Sequence, residues 1–179
     1  VTFVLKNTAT EQTSPAVSVM AAIQDGNGGS VGSIAAAAMA KTGNALYGVA
    51  NGEDPLEVKV PTFSLKSIQQ STPVSGEANT LTVSLTANFN LAAGSTVTIT
   101  GLTGSQTADD ASLTVSSTSD LLGTTGAWTN AGQLVLTAAS PGTASGTACV
   151  VTFVLKNTAT SQTSPAVSVM AAIQDGNGG

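Results

Sequence analysis

Residues 80–91 read TLTVSLTANFNL, and their alternation decides the fold class. Leu81, Val83, Leu85, Ala87, Phe89 and Leu91 alternate with Thr82, Ser84, Thr86, Asn88 and Asn90. A period of two places the two sets on opposite faces of a strand. A helix does not gather such residues on one stripe, because its surface neighbours lie three and four apart. The segment predicts a long strand with one buried face.

The same period recurs on either side. Val97 and Ile99 alternate with Thr96, Thr98 and Thr100, and Leu113 and Val115 with Thr114 and Ser116. Leu134 and Leu136 follow the turn Asn130-Ala131-Gly132. Cys149, Val151, Phe153 and Leu155 share one face, and Val167, Val169, Ala171 and Ile173 form a further candidate strand. Leu56, Val58 and Val60 alternate with Glu57 and Lys59 before Pro61 interrupts. Turn signals separate the runs, among them Thr72-Pro73, Ser75-Gly76, Ala93-Gly94 and Ser140-Pro141-Gly142. Short strands at this spacing, rich in Val and Thr, predict an all-β, Ig-like antiparallel β-sandwich. The alanine-rich stretch Ile34 to Ala40 suits a short helix or a tightly packed strand, and its β surroundings favour extended structure.

The strongest long-range signal is a repeat. Residues 1–29 read VTFVLKNTATEQTSPAVSVMAAIQDGNGG and residues 151–179 repeat them with one change, Glu11 to Ser161. The offset is 151 − 1 = 150 residues, the size of a domain rather than of a solenoid unit. The single difference is the drift expected of natural repeats. Residues 63–179 are therefore expected to hold a complete sandwich, with a boundary near Pro61. Residues 1–29 are expected to be terminal strands of a preceding repeat, and 30–62 a connector with extra strands or a short helix. Two final strands cannot bury their apolar face alone. Val1, Phe3, Leu5, Val17, Val19 and Ile23 are thus the candidate assembly residues. Their partners would come from a neighbouring repeat in a tandem array, or from another copy through strand addition. Either route propagates as a filament.

Composition narrows the function. Charged residues are 8% of the chain, with no Arg, no His and a net charge of −5. This is a poor inventory for nucleic acid or anionic membranes, and it leaves no histidine base or histidine metal ligand. No apolar run is long enough to span a bilayer. The lone Cys149 precludes an intrachain disulfide and, in phase with Val151, Phe153 and Leu155, reads as a small core residue. No enzyme and no cofactor is expected.

Candidate ligand sites are few. Asp25 and Asn27, repeated as Asp175 and Asn177, hint at a calcium loop but lack an EF-hand's further acidic ligands, and turn chemistry explains them equally well. The adjacent acids Glu53-Asp54 and Asp109-Asp110 read as solvated loop residues rather than a glycosidase pair. Trp128 and Tyr47 read as packing residues rather than a sugar platform. The row Thr96, Thr98 and Thr100 is an ice-binding pattern that any Thr-rich sandwich also presents. No Asn-x-Ser/Thr sequon occurs.

Residues 71–108, STPVSGEANTLTVSLTANFNLAAGSTVTITGLTGSQTA, and 132–169, GQLVLTAASPGTASGTACVVTFVLKNTATSQTSPAVSV, carry a family resemblance. They resemble tandem Ig-like β-sandwich repeats of giant secreted or cell-surface, fibre-forming proteins of unicellular algae and other protists. The resemblance implies an extracellular or cell-surface location, glycosylation, and neighbouring copies of the same repeat as partners. It makes Pro15, Pro73, Pro141 and Pro165, each preceded by Ser or Thr, candidate glycosylation positions. The function expected is a structural repeat unit of an extracellular filament. The alternative is an adhesive or ligand-binding module for glycan, calcium or ice.

Overall fold

The computed structural model describes residues 2–174. The chain divides into two compact units, Val1–Val60 and Pro61–Gly179.

The first unit holds one antiparallel hairpin, β1 (Ser18–Gln24) with β2 (Ser30–Ala38). Its turn is made by Asp25, whose Oδ1 accepts the N–H of Asn27 (3.0 Å) and of Gly29 (2.6 Å). Every residue of both strands is exposed. The alanine-rich stretch is extended: all of Ile34 to Ala38 lies in β2. The strand expected over Leu56 to Val60 does not form. Leu56 sits at φ +59, which no strand accommodates, and only Val58 makes a bridge, to Gln12. Around that bridge Ser14 N–H donates to Glu57 Oε2 (2.7 Å), and Lys59 lies 3.6 Å from Glu57 Oε1. Val58 is the one buried hydrophobic residue among the described residues of this unit.

The second unit is an antiparallel β-sandwich, wrapped almost into a barrel. It contains β3 (Phe63–Gln70), β4 (Ala78–Ala87), β5 (Thr96–Thr100), β6 (Asp110–Ser117), β7 (Thr125–Thr129), β8 (Gln133–Thr137), β9 (Ala148–Lys156) and β10 (Ser168–Ala172). The strand order is β10-β5-β8-β7-β6-β9-β4-β3. β6 turns the corner between the layers. Its first part pairs with β7, its last residues Val115–Ser117 pair with β9, and an irregularity between Asp110 and Leu113 bends it.

The inward sets of these strands form one core. Leu81, Val83 and Leu85 of β4 meet Val97 and Ile99 of β5, Leu134 and Leu136 of β8, and Val151, Phe153 and Leu155 of β9, around Trp128. Gly126 on β7 is required by this packing, because a Cβ there would lie 2.8 Å from Leu134 Cδ1 and 2.9 Å from Leu136 Cδ2. β4 ends at Ala87, short of the Leu91 that alternation alone suggested. Asn88 and Asn90 stop it by turning their side chains to loop backbone: Asn88 Oδ1 accepts Thr62 N–H and Asn90 Oδ1 accepts Ser145 N–H. Leu91 is still buried, bridged to Thr143.

Candidate functional site

The duplicated segment occupies two different environments. At 151–156, VTFVLK is the body of β9, hydrogen-bonded to β4 on one side and β6 on the other. At 2–6 the same letters belong to no strand, and Phe3, Val4 and Leu5 are exposed. No strand forms over residues 2–6, although residues 1–29 are expected to hold terminal strands, because no neighbouring strand supplies a ladder there. Val1 itself lies outside the described residues. Further along the two copies converge: Ser18–Gln24 and Ser168–Ala172 are both strands. Of the candidate assembly residues, Val19 and Ile23 are exposed in β1 and Val17 is half-buried just before it. Their counterparts Val167 and Val169 pack against the sandwich core.

The eight-stranded sheet leaves two edges, β3 and β10. They differ in chemistry. β3 carries Lys66 on the face that it shares with the buried Leu85, its cross-strand partner. A lysine on an edge strand is a device that discourages edge-to-edge pairing. β10, SVMAA, carries no charge.

A cleft of about 370 Å³ opens at one end of the sandwich, where the β3–β4 turn, the residues after β5 and the β9–β10 connection meet. Leu81, Leu102, Leu155 and Val167 line it, with Asn79 and Gln162 among its polar residues. Asn79 is 3% exposed and knots this end together. Its Oδ1 accepts the N–H groups of Ser71 and Thr72, and its Nδ2 donates to Gln70 Oε1 (2.9 Å) and Asn157 Oδ1 (2.8 Å). Asn157 in turn donates to the carbonyls of Thr72 and Val74. Nothing in the sequence distinguished Asn79 from an ordinary turn asparagine, since the burial that gives it this role comes from strands distant in the chain. Lys156 is the one ionisable side chain along the cleft among the described residues.

The other candidates are engaged in local structure. Asp25 is committed to its turn, Asn27 supplies only a backbone N–H to it, and Asp175 and Asn177 lie outside the described residues. Asp109 accepts from Asn130 N–H (2.6 Å) and Asp110 from Ser112 N–H (2.8 Å). Asp54 accepts from Gly43 N–H and Glu53 from Asn44 Nδ2. No group of three or more metal-ligating side chains occurs among the described residues. Trp128 is buried, its Nε1–H donating to the Thr107 carbonyl (3.2 Å), so its ring is closed to a sugar. Cys149 is buried, and that burial pushes its thiol pKa up against an opposing backbone hydrogen bond from Thr118. Thr98 lies between Met170 and Val135, which interrupts the hydroxyl row sideways at its centre, while Thr96 faces Thr137 and Thr100 faces Ser168. Pro15, Pro73 and Pro141 are exposed, and Pro165 is half-buried at the cleft. No helix among the described residues is long and apolar enough to cross a membrane.

No family model, curated protein or solved structure matches the chain.

Proposed function

We propose that this chain is a structural repeat unit of an extracellular or cell-surface filament, assembled in series with other copies through strand pairing and apolar contacts, and that it is not an enzyme. The observation that carries this reading is the duplicated segment: one copy is a central strand with one face in the core, while the other presents Phe3, Leu5, Val19 and Ile23 to solvent. Large apolar side chains left in water at this density support a surface for association. The first unit, with a single buried apolar side chain among its described residues, has little core of its own. A non-catalytic role is supported by the lack of His in the sequence, by the burial of Cys149 and by the engagement of the loop acids with backbone. Glycans, where the filament carries them, would attach to the abundant Ser and Thr or to the exposed Pro15, Pro73 and Pro141.

Negative-stain electron microscopy and sedimentation test the reading. The full chain is expected to form filaments as its concentration rises. Removal of residues 1–60 is expected to leave a folded sandwich, reported by the buried emission of Trp128, that no longer assembles. Filaments formed equally well by the sandwich alone would refute the role given to the first unit, and a full chain that stays monomeric at every concentration would refute the filament.

A further inference from the structure

We infer that the outer edge of β10 accepts β2 of a second copy of this chain as a ninth strand, so that each copy donates one strand and receives one. The inference rests on the filament reading and specifies the contact within it.

In a strand, the N–H and C=O of one residue point to the same neighbour, and those of the next residue point the other way. In the second unit the even-numbered residues around β10 face β5. Gln174 N–H donates to Ser95 Oγ (3.0 Å), just before β5, and the Ala166 carbonyl oxygen lies against Gly101, just after it. The odd-numbered backbone groups, those of Val169 and Ala171, therefore face away from β5, toward the edge where no strand pairs among the described residues. The first unit holds the identical segment 18–24, and there the odd set is occupied. Val17 C=O accepts from Met39 N–H (2.8 Å), and β2 runs alongside. β2 thus uses the edge of this sequence that β10 leaves open.

The register transfers residue by residue. In the hairpin Val19 pairs with Ala37, Ala21 with Ile34 and Ala22 with Ser33. Adding 150 places Ala37 opposite Val169, Ile34 opposite Ala171 and Ser33 opposite Ala172. Moving β2 from β1 to a neighbour's β10 keeps the same ladder, because residues 18–24 and 168–174 are identical. What changes is the surface behind it. In the hairpin all side chains of both strands are exposed, whereas Val169 and Ala171 already lie against the sandwich core, so Ile34 and Ala37 would extend that apolar layer. A lone two-stranded hairpin is marginal in water, and the same strand added to a sheet of eight is not. The opposite edge, β3, is guarded by Lys66. Donor and acceptor lie on different parts of the chain, so the contact is head-to-tail and propagates without closing.

Pairs of full chains, each with one introduced cysteine in a Cys149→Ala background, test this. Ala22 is even-numbered, so its pair with Ser33 is of the non-hydrogen-bonded kind, with Cα atoms about 4.5 Å apart and within reach of a disulfide. Under mild oxidation a mixture of S33C and A172C chains is expected to give a disulfide-linked dimer containing one of each. A38C is expected to link with S168C and not with A172C, following the hairpin register of Ser18 with Ala38. Separately, Ala171→Pro deletes an outward N–H at an edge position, where proline is tolerated. It is expected to abolish assembly while Trp128 emission stays native. Assembly without register-specific cross-links, in which A172C couples to A38C as readily as to S33C, would overturn the edge assignment and leave the filament standing. A chain that never associates would overturn both. Should A171P fail to fold, the cysteine pairs decide alone.

Discussion

Phe3 and Phe153 are the same residue of the repeat in two environments, and truncating each to alanine measures the difference. Phe153 is 2% exposed and sits between Leu81 on β4 and Val115 on β6. Removing its ring forfeits the transfer free energy and leaves a cavity, at a cost of about 3–5 kcal/mol. Phe3 is 76% exposed, so only about a quarter of it is covered. Its truncation forfeits roughly 0.5 kcal/mol and leaves no hole. Against a domain stability of about 5–15 kcal/mol the first change is large and the second is small. Trp128, the only tryptophan in the chain, reports the sandwich selectively. With a urea m-value of about 2 kcal/mol per molar, Phe153→Ala is expected to lower the Trp128 unfolding midpoint by about 2 M in dilute, monomeric protein. Phe3→Ala is expected to leave that midpoint where it was. Equal shifts from the two variants would refute the reasoning, for the two copies would then be contributing to one core. An unshifted Phe153→Ala would do so as well, by removing β9 from that core.

Three further perturbations probe the parts that hold the sandwich together. Gly101 has φ +91 and faces the Ala166 carbonyl oxygen, so Gly101→Ala is expected to cost well over ~1 kcal/mol, while Gly76→Ala, at φ +76 in open space, is expected to cost only about 1 kcal/mol; paired urea titrations compare them. Asn79→Ala takes the side-chain acceptor from the Thr72 N–H, while the Ser71 N–H keeps the Thr80 carbonyl, and is expected to cost about 1–3 kcal/mol, read as a lower thermal midpoint with the strand signal retained in circular dichroism. Cys149 holds its proton more tightly folded than unfolded, because burial raises its pKa from the usual 9.0. The stability it contributes is therefore complete below that value and is lost as pH rises through the folded-state pKa. The difference in urea midpoint between the parent and Cys149→Ala is expected to be constant near neutrality and to change, at the parent's expense, in alkaline solution.

The strands legible in the sequence were those with water on one side and core on the other. β4, β5, β8 and β9 alternate cleanly because Leu81, Val97, Leu134 and Val151 point into one interior while the residues between them do not. β3 and β7 were silent for opposite reasons. β3 is an edge strand whose hydrophobics Leu65 and Ile68 fall out of phase and stay partly exposed, and β7 has Gly126 where an apolar side chain would have announced it. Leu56 to Val60 alternates as well as β5 does, yet Leu56 turns left-handed and no neighbour pairs with the segment beyond one bridge. Periodicity records which way side chains would point in a strand, and cannot supply the neighbour that makes one. For the same reason the β10 edge was invisible. Its exposure depends on strand order, and its polarity depends on which parity of residues β5 has already taken.

The repeat removes local propensity from the problem. Residues 2–6 and 152–156 are identical, so their intrinsic preferences cannot explain why one is loop and the other a central strand. The difference lies in β4 and β6, which flank one copy and not the other. Further along, 18–24 and 168–172 are strands in both places because each has found one partner, β2 in one case and β5 in the other, on opposite edges. A segment with two usable edges and one partner at each occurrence is incompletely satisfied at both. Backbone groups left open to water cost little, so each unit tolerates its own open edge. The apolar side chains exposed along β1 and β2 have no such recourse, because water cannot replace the contacts they lack. In the proposed filament the pressure toward association would therefore come from the side chains, while the ladder would fix where and in which register it occurs.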